Sequence, residues 1–346
     1  MTTSAIVGAP NLLFLGAGAS KPYGKLLMGE FVRSFKQKTE GTPLQYPHNS
    51  SSLLNAICDK HEDLEFLIEE LEALSSRDYL EKQSIISSNP NLPGEEWRWP
   101  DFQQLAIEAR RLLALLKREV YLEYRSIPDP TQTAILTKPI SLLHNDPGPT
   151  VVFTTNYDPA VERYCAAQSL RLIDGFVHDQ RTQEYLWSRG AFDELSGSPN
   201  ESLVLFKLHG SANWHLEQGR IIKGLPTYDA DDPDYRNVMI FPATRKVAIE
   251  EPFFTAYDYL EQCLDKADSC LVIGYSFRDY DTLMRFKSAK LSNKHLRIAV
   301  LDPAAAELCK DLEKHGILAY PIPYALGGDQ EAEYLPLITS GVQRGG

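Results

Sequence analysis

Asn11-Leu12-Leu13-Phe14-Leu15-Gly16-Ala17-Gly18-Ala19-Ser20 is the stretch on which the fold turns. Leu12 to Leu15 is a short, unbroken apolar run that meets glycine at once, the pattern of a parallel strand buried on both faces and ending in a tight turn. The run lacks a basic flank and is followed directly by glycines, so it reads as a strand and not as a signal peptide. Glycines in such a turn let the backbone approach a pyrophosphate and leave N–H groups to bind it. Taken alone, G-x-G-x-S with Gly24 beyond it fits a dinucleotide turn and a plain glycine-rich turn equally well.

Working outward, the same short apolar runs recur at Val151 to Phe153, Leu203 to Phe206, Cys270 to Ile273 and Ile298 to Leu301, with Ile317 to Tyr320 a candidate last strand. Helical patterns separate them, which predicts an α/β fold with a doubly wound parallel sheet, a Rossmann core. Glu62 to Leu74 and Phe102 to Val120 carry leucines at helical spacing and predict amphipathic helices. No strand is evident between about 35 and 148, a gap too long for one crossover, so a helical insertion is expected there. The expected division is a core over 10–40 and 148–340 and a helical insertion over 41–147. Within the core, 175–235, rich in Gly, Pro, Asp and Trp without long periodicity, is expected to form short strands and loops, a small irregular subdomain. Asp302-Pro303 reads as a helix start and Gly316 as its stop.

The chain has 346 residues, with 47 acidic against 35 basic side chains and a net charge of -12. That charge repels phosphate backbones and anionic lipid, and no basic cluster offsets it, so neither direct nucleic-acid binding nor membrane association is expected. No apolar stretch approaches the roughly 18 residues of a membrane span. Five scattered cysteines without a C-x₂-C pair predict no disulfide framework and no zinc ribbon, as in a reducing cytoplasm.

Five expected strands end in short polar elements, where ligands of open α/β sheets collect. After the first comes Gly16-Ala17-Gly18-Ala19-Ser20. After the second comes Thr154-Thr155-Asn156-Tyr157-Asp158, either an amide and a carboxylate for a ribose and a carboxamide or an Asx turn capping a helix near Pro159. After the third comes Lys207-Leu208-His209-Gly210-Ser211, whose histidine is placed to act as a general base near neutral pH. Gly274-Tyr275-Ser276-Phe277 and Asp302 follow the fourth and fifth, and an acidic group there can bind a ribose diol.

The ordered set GAGAS, TTNYD, KLHGS, GYSF and LDP resembles the sirtuin superfamily, specifically its prokaryotic SIR2-like branch. The resemblance implies a sirtuin-like Rossmann core that binds NAD⁺ as a substrate. It places Gly16, Ala17, Gly18 and Ser20 in the phosphate loop, and Thr155, Asn156 and Asp158 at the nicotinamide ribose and carboxamide. His209 becomes the catalytic base beside Asn156. Gly274 and Ser276 fall to the phosphate and ribose of the adenosine half, and Asp302 lies near the adenosine. Two departures separate this chain from the protein deacetylases: Gly175 to Asp234 contains none of their paired zinc cysteines, and Gly24 is followed by Lys25-Leu26-Leu27-Met28 in place of their Asp-Phe-Arg element.

Zinc-less SIR2-like proteins with a helical insertion are similar to NAD⁺-consuming effectors of bacterial anti-phage defence. The resemblance implies a cytoplasmic NAD⁺ glycohydrolase that uses no metal and releases nicotinamide and ADP-ribose. Such an activity needs restraint, which implies a homo-oligomer and a separate activating partner such as a HerA-like ATPase, a short Argonaute or another sensor. A protein deacylase or ADP-ribosyltransferase, and a non-catalytic sensor or scaffold for NAD⁺ or ADP-ribose, stay open as alternatives.

Overall fold

The computed structural model describes residues 5–40, 64–75, 99–127, 129–144, 148–193, 202–224, 236–240, 250–327 and 329–343. In chain order the elements are β1 (Asn11–Leu15), α1 (Met28–Glu40), α2 (Leu64–Ser75), α3 (Trp99–Tyr124), α4 (Thr137–Leu142), β2 (Thr150–Thr154) and α5 (Ala160–Gln168). Next come β3 (Arg171–Ile173), β4 (Phe176–Asp179), β5 (Glu184–Trp187), β6 (Ser202–Lys207), β7 (Gly210–Glu217), β8 (Arg220–Lys223) and β9 (Arg236–Met239). The chain closes with α6 (Phe253–Leu264), β10 (Ser269–Ile273), α7 (Tyr280–Ser292), β11 (Arg297–Leu301), α8 (Ala305–Lys314), β12 (Tyr320–Ile322) and α9 (Glu331–Gln343). The chain divides into two compact units, residues 1–25, 124–240 and 247–346 in one, and 26–123 and 241–246 in the other.

The first unit is built on a seven-stranded sheet of order β12-β11-β10-β1-β2-β6-β3, and every pairing in it is parallel. Successive side chains of a strand point to opposite faces, so one apolar run feeds two cores. Leu12, Phe14, Val151, Phe153, Val204, Phe206, Val272 and Val300 pack on one face against α6, α7 and α8. Leu13, Leu15, Val152, Leu205, Ile273 and Leu301 pack on the other against α4, α5 and α9. That double burial is why the strands read as unbroken apolar runs. β1 sits between β10 and β2, and the chain winds to either side of it, which makes its carboxyl end a topological switch point.

Three sequence expectations shift. The last strand is Tyr320–Ile322 and not Ile317 to Tyr320: Ile317 is buried just after the helix stop at Gly316 (φ 80°), and pairing with β11 begins only at Ala299↔Tyr320. Pro321 is tolerated because this strand lies at the sheet edge. β3, three residues long and opening on Arg171, was too short and polar to show. The region expected to be irregular supplies four strands of a regular five-stranded antiparallel sheet of order β4-β5-β8-β7-β9, and β9 follows it directly. Its β7–β8 hairpin turns on Gln218-Gly219, both at positive φ (49° and 75°), which is the type I′ geometry usually announced by Asn-Gly.

An aromatic cluster fills the small sheet. Phe176 lies 5.0 Å from Trp214 and 5.6 Å from Trp187, and Trp187 lies 5.8 Å from Phe192, which stacks at 4.6 Å on Phe206 of the parallel sheet. Lys223 Nζ donates to the buried Asp174 carboxylate at 2.5 Å and sits 5.3 Å from the centre of the Phe176 ring. Burial raises the Asp174 pKa and the Lys223 charge opposes that rise.

The second unit contains the helices α1 and α2 and nearly all of α3. Leu64, Leu67, Ile68, Leu71 and Leu74 of α2 and Ala109, Leu112 and Leu116 of α3 are buried, so the apolar stripes seen in the sequence are covered within the chain. Ion pairs at the rim, Lys117 to Glu72 (2.9 Å) and Lys38 to Glu119 (3.1 Å), join α3 to its neighbours. Among the described residues no helix is long and apolar enough to cross a membrane.

Candidate functional site

All five polar strand ends lie at the carboxyl edge of the parallel sheet, after β1, β2, β6, β10 and β11. The register Leu15↔Thr154 and Thr154↔Lys207 sets Gly16, Asn156 and His209 one or two residues beyond paired positions on three adjacent strands. Parallel pairing alone therefore gathers residues more than fifty positions apart in sequence.

The glycine-rich loop is held from β10. Gly16 N–H donates to Ile273 O at 2.9 Å, Gly18 N–H to Gly274 O at 2.8 Å, and Ala19 N–H to Gly16 O at 2.9 Å. A Cβ on Gly16 would stand 2.5 Å from Gly274 O, and one on Gly18 would stand 2.7 Å from Gly274 Cα. Gly274 itself sits at φ 62°, with no room for a Cβ beside Ala19 N (2.4 Å). These glycines let two loops touch: two N–H groups of the glycine-rich motif serve that contact, and the third, of Ala19, closes the loop on itself. Ala17 opens the following 3₁₀ turn, whose first N–H has no partner within the turn.

The β2 loop is equally determined. Thr154 Oγ1 donates to Leu15 O and accepts from Asn156 N–H, both at 3.0 Å. Asn156 Nδ2 donates to Gly16 O at 2.8 Å and to Ser20 Oγ at 2.9 Å, which fixes the amide orientation and leaves Oδ1 as its acceptor. Asp158 accepts from the Ser20 hydroxyl (2.5 Å) on one oxygen and from Ala160 N–H (3.0 Å) on the other. The same carboxylate thus caps α5 and anchors the loop. Thr155 is half-buried between these residues. Beneath them the buried Lys207 ammonium donates to Asp158 O at 2.6 Å and pairs with Glu162 at 3.3 Å.

These groups line a narrow cavity of about 10 Å³ bounded by Leu15, Ser20, Tyr23, Asn156, Asp158 and Glu162. That is room for about one water, far below the roughly 300–1,000 Å³ of common ligand pockets. Two buried polar atoms in its wall, Tyr23 Oη and Glu162 Oε2, have no hydrogen-bond partner among the described residues. Burial first, then the Asp158 charge, pushes the Tyr23 pKa well up, so it stays a neutral phenol.

His209 is buried, and its Nε2 lies 3.0 Å from Asp279 Oδ2. Asp279 did not stand out in the sequence as a partner of His209: it lies five positions past Gly274, where the sequence signal is only that of a helix N-cap. In the Gly274 loop, Tyr275, Phe277 and Asp279 are buried while Ser276 and Arg278 are exposed. Ser276 therefore faces outward from the sheet edge. Asp302, half-buried after β11, accepts from Ala304 N–H at 2.8 Å, and burial raises its pKa. Glycine loop, Asn156, Asp158 and Gly274 form one bonded cluster, whereas no hydrogen bond ties Ser276 or Asp302 into it. No group of three or more His, Cys, Asp or Glu side chains among the described residues could hold a metal ion.

Comparison with known proteins bears on residues 150–320, which match the family model of the SIR2-like domain. None of the curated proteins matches the chain. Among solved structures, a Sir2 homologue in complex with NAD is similar at 12% identity and TM-score 0.44, covering 98% of this chain and 92% of that one. A Sir2 homologue mutant in complex with ADP-ribose is similar at 12% identity and TM-score 0.43, covering 99% and 97%. The match over 150–320 takes in the loops after β2, β6, β10 and β11 of the parallel sheet, so this part of the chain is similar to the SIR2-like domain.

Proposed function

We propose that the chain is a cytoplasmic NAD⁺ glycohydrolase, an effector of bacterial anti-phage defence that acts by depleting NAD⁺. The observation that carries this reading is the set of adjacent strand ends after β1, β2 and β6, which presents an Asn156 amide locked by Gly16 and Ser20 and a buried His209 ring held by a carboxylate. Similarity to the SIR2-like domain supports NAD⁺ as the substrate. In the reaction, the C1′–N bond breaks and its electron pair neutralises the pyridinium of the leaving nicotinamide. Water attacks C1′, giving ADP-ribose, and its proton passes to His209 and then to solvent.

Cleaving toward a cationic leaving group through an oxocarbenium-like state rewards orientation more than a strong nucleophile. Asn156 suits that task because its amide cannot rotate without breaking two hydrogen bonds, so Oδ1 is a fixed acceptor for a ribose hydroxyl or the attacking water. Tyr23 Oη and Glu162 Oε2 supply a donor and an acceptor deeper in the cavity. Homo-oligomerisation and a separate activating chain, a HerA-like ATPase, a short Argonaute or another sensor, would keep the activity in check.

Chromatography of NAD⁺ incubated with the full chain, alone and with its genomic neighbours, tests the reading. Nicotinamide and ADP-ribose should appear in equal amounts, and Asn156→Ala and His209→Ala should each lower the rate by at least about a hundredfold while circular dichroism is unchanged. Release that requires an acyl-lysine peptide or an acceptor protein would overturn hydrolysis in favour of group transfer. Binding without turnover in every combination would leave a sensor.

A further inference from the structure

Asp279 takes donors from every direction. Its Oδ1 accepts from Asp281 N–H (3.0 Å) and Thr282 N–H (3.4 Å), and its Oδ2 from the hydroxyls of Thr282 (3.1 Å) and Tyr257 (3.4 Å). His209 Nε2 reaches the same Oδ2 at 3.0 Å, and both side chains are only 6% exposed. Among the described residues, Arg285 lies over the neighbouring Tyr257 ring, its guanidinium 4.4 Å from the ring centre, and Asp281 follows at the start of α7. A carboxylate so surrounded receives hydrogen bonds and gives none, so the ring atom facing it must be an N–H.

We propose that Asp279 is a positioning residue for His209: by accepting Nε2–H it fixes the ring's orientation and tautomer, and makes Nδ1 the nitrogen that removes the proton from the attacking water. The assignment rests on His209 being the base of the hydrolysis. It gives one carboxylate two functions, because the N-cap of α7 and the orientation of the base share its two oxygens. The helix start thereby sets the angle of a ring on the neighbouring β6 loop.

The test is Asp279→Asn in the full chain. The asparagine oxygen can still cap α7, but the amide turned toward His209 is a donor, so the ring must offer a bare Nε2 and carry its proton on Nδ1. Loss of the correct tautomer is expected to lower kcat by at least about a hundredfold. KM for NAD⁺ should stay within a few-fold and the melting temperature near that of the parent. Long-range proton–nitrogen spectra of the histidine rings, with His209→Gln for assignment, should show Nε2–H in the parent and Nδ1–H in the variant. A parent ring protonated on Nδ1, or an Asp279→Asn chain with unchanged kcat, overturns the proposal. The parent spectrum needs no variant of Asp279 and no turnover, so it decides the pairing even if NAD⁺ proves not to be the substrate.

Discussion

Adding one methyl group at Gly274 should separate two effects that glycine usually combines. At φ 62° an alanine sits in the left-handed region, which costs about 1–2 kcal/mol. Its Cβ would also stand 2.4 Å from Ala19 N and 2.5 Å from Gly18 Cα, which are backbone atoms that cannot swing aside. Forcing extra volume into such packing costs about 1–3 kcal/mol more, so Gly274→Ala should destabilise by roughly 2–5 kcal/mol. Two controls split the sum. Gly24→Ala (φ 75°, no atom within 4 Å of the new Cβ) carries only the backbone cost of about 1–2 kcal/mol. Gly16→Ala (φ -109°, Cβ 2.5 Å from Gly274 O) carries only the contact cost of about 1–3 kcal/mol. Thermal denaturation reads these directly, at roughly 2–4 °C per kcal/mol for a domain of this size. Because Gly16 and Gly274 share one contact, the double variant should lose less than the sum of the singles. A Gly274→Ala protein that melts together with Gly24→Ala would refute the close approach of the two loops, and with it the reason given for the GAG motif.

Two further outcomes follow from buried polar groups. Tyr23→Phe removes a buried hydroxyl that has no hydrogen-bond partner among the described residues, so the free protein should be unchanged or more stable by up to about 1 kcal/mol, whereas NAD⁺ affinity should fall several-fold by calorimetry; a variant that loses stability and keeps its affinity would mean the hydroxyl serves the fold. Burial lowers the His215 pKa below its ordinary value, against the opposing pull of Glu217 and the Gly224 backbone. A depressed folded pKa means that this contribution is present above about pH 6.5 and is lost as pH falls through the folded value. Denaturant titrations of His215→Gln should accordingly show a shallower loss of stability on acidification than the parent; parallel curves would remove His215 from the acid response.

The parallel core was determined by the sequence itself, because strands buried on both faces must be apolar throughout and must stop at polar, glycine-rich turns. Leu12 to Leu15, Val151 to Phe153, Leu203 to Phe206, Cys270 to Ile273 and Ile298 to Leu301 all lie within observed strands of one sheet. Asn156 and His209 stood out as candidates for the same reason, since each stands just past such a run. Elements set by pairing partners or by unusual turn residues were not. β3 is a strand because β6 offers it an edge, and the β7–β8 hairpin turns on Gln-Gly, whose positive φ at glutamine no propensity announces. Spacing could not show that Gly16 and Gly18 face the Gly274 backbone, nor that Asp158 caps α5 while holding Ser20. Asp279 is the clearest case: along the chain it is an N-cap seventy residues from His209, and only the packing of α7 beside the β6 loop brings its second oxygen to the ring. One-dimensional pattern records which face of an element is buried; a hydrogen bond between two elements depends on where each ends in space, and that was decided by the tertiary structure alone.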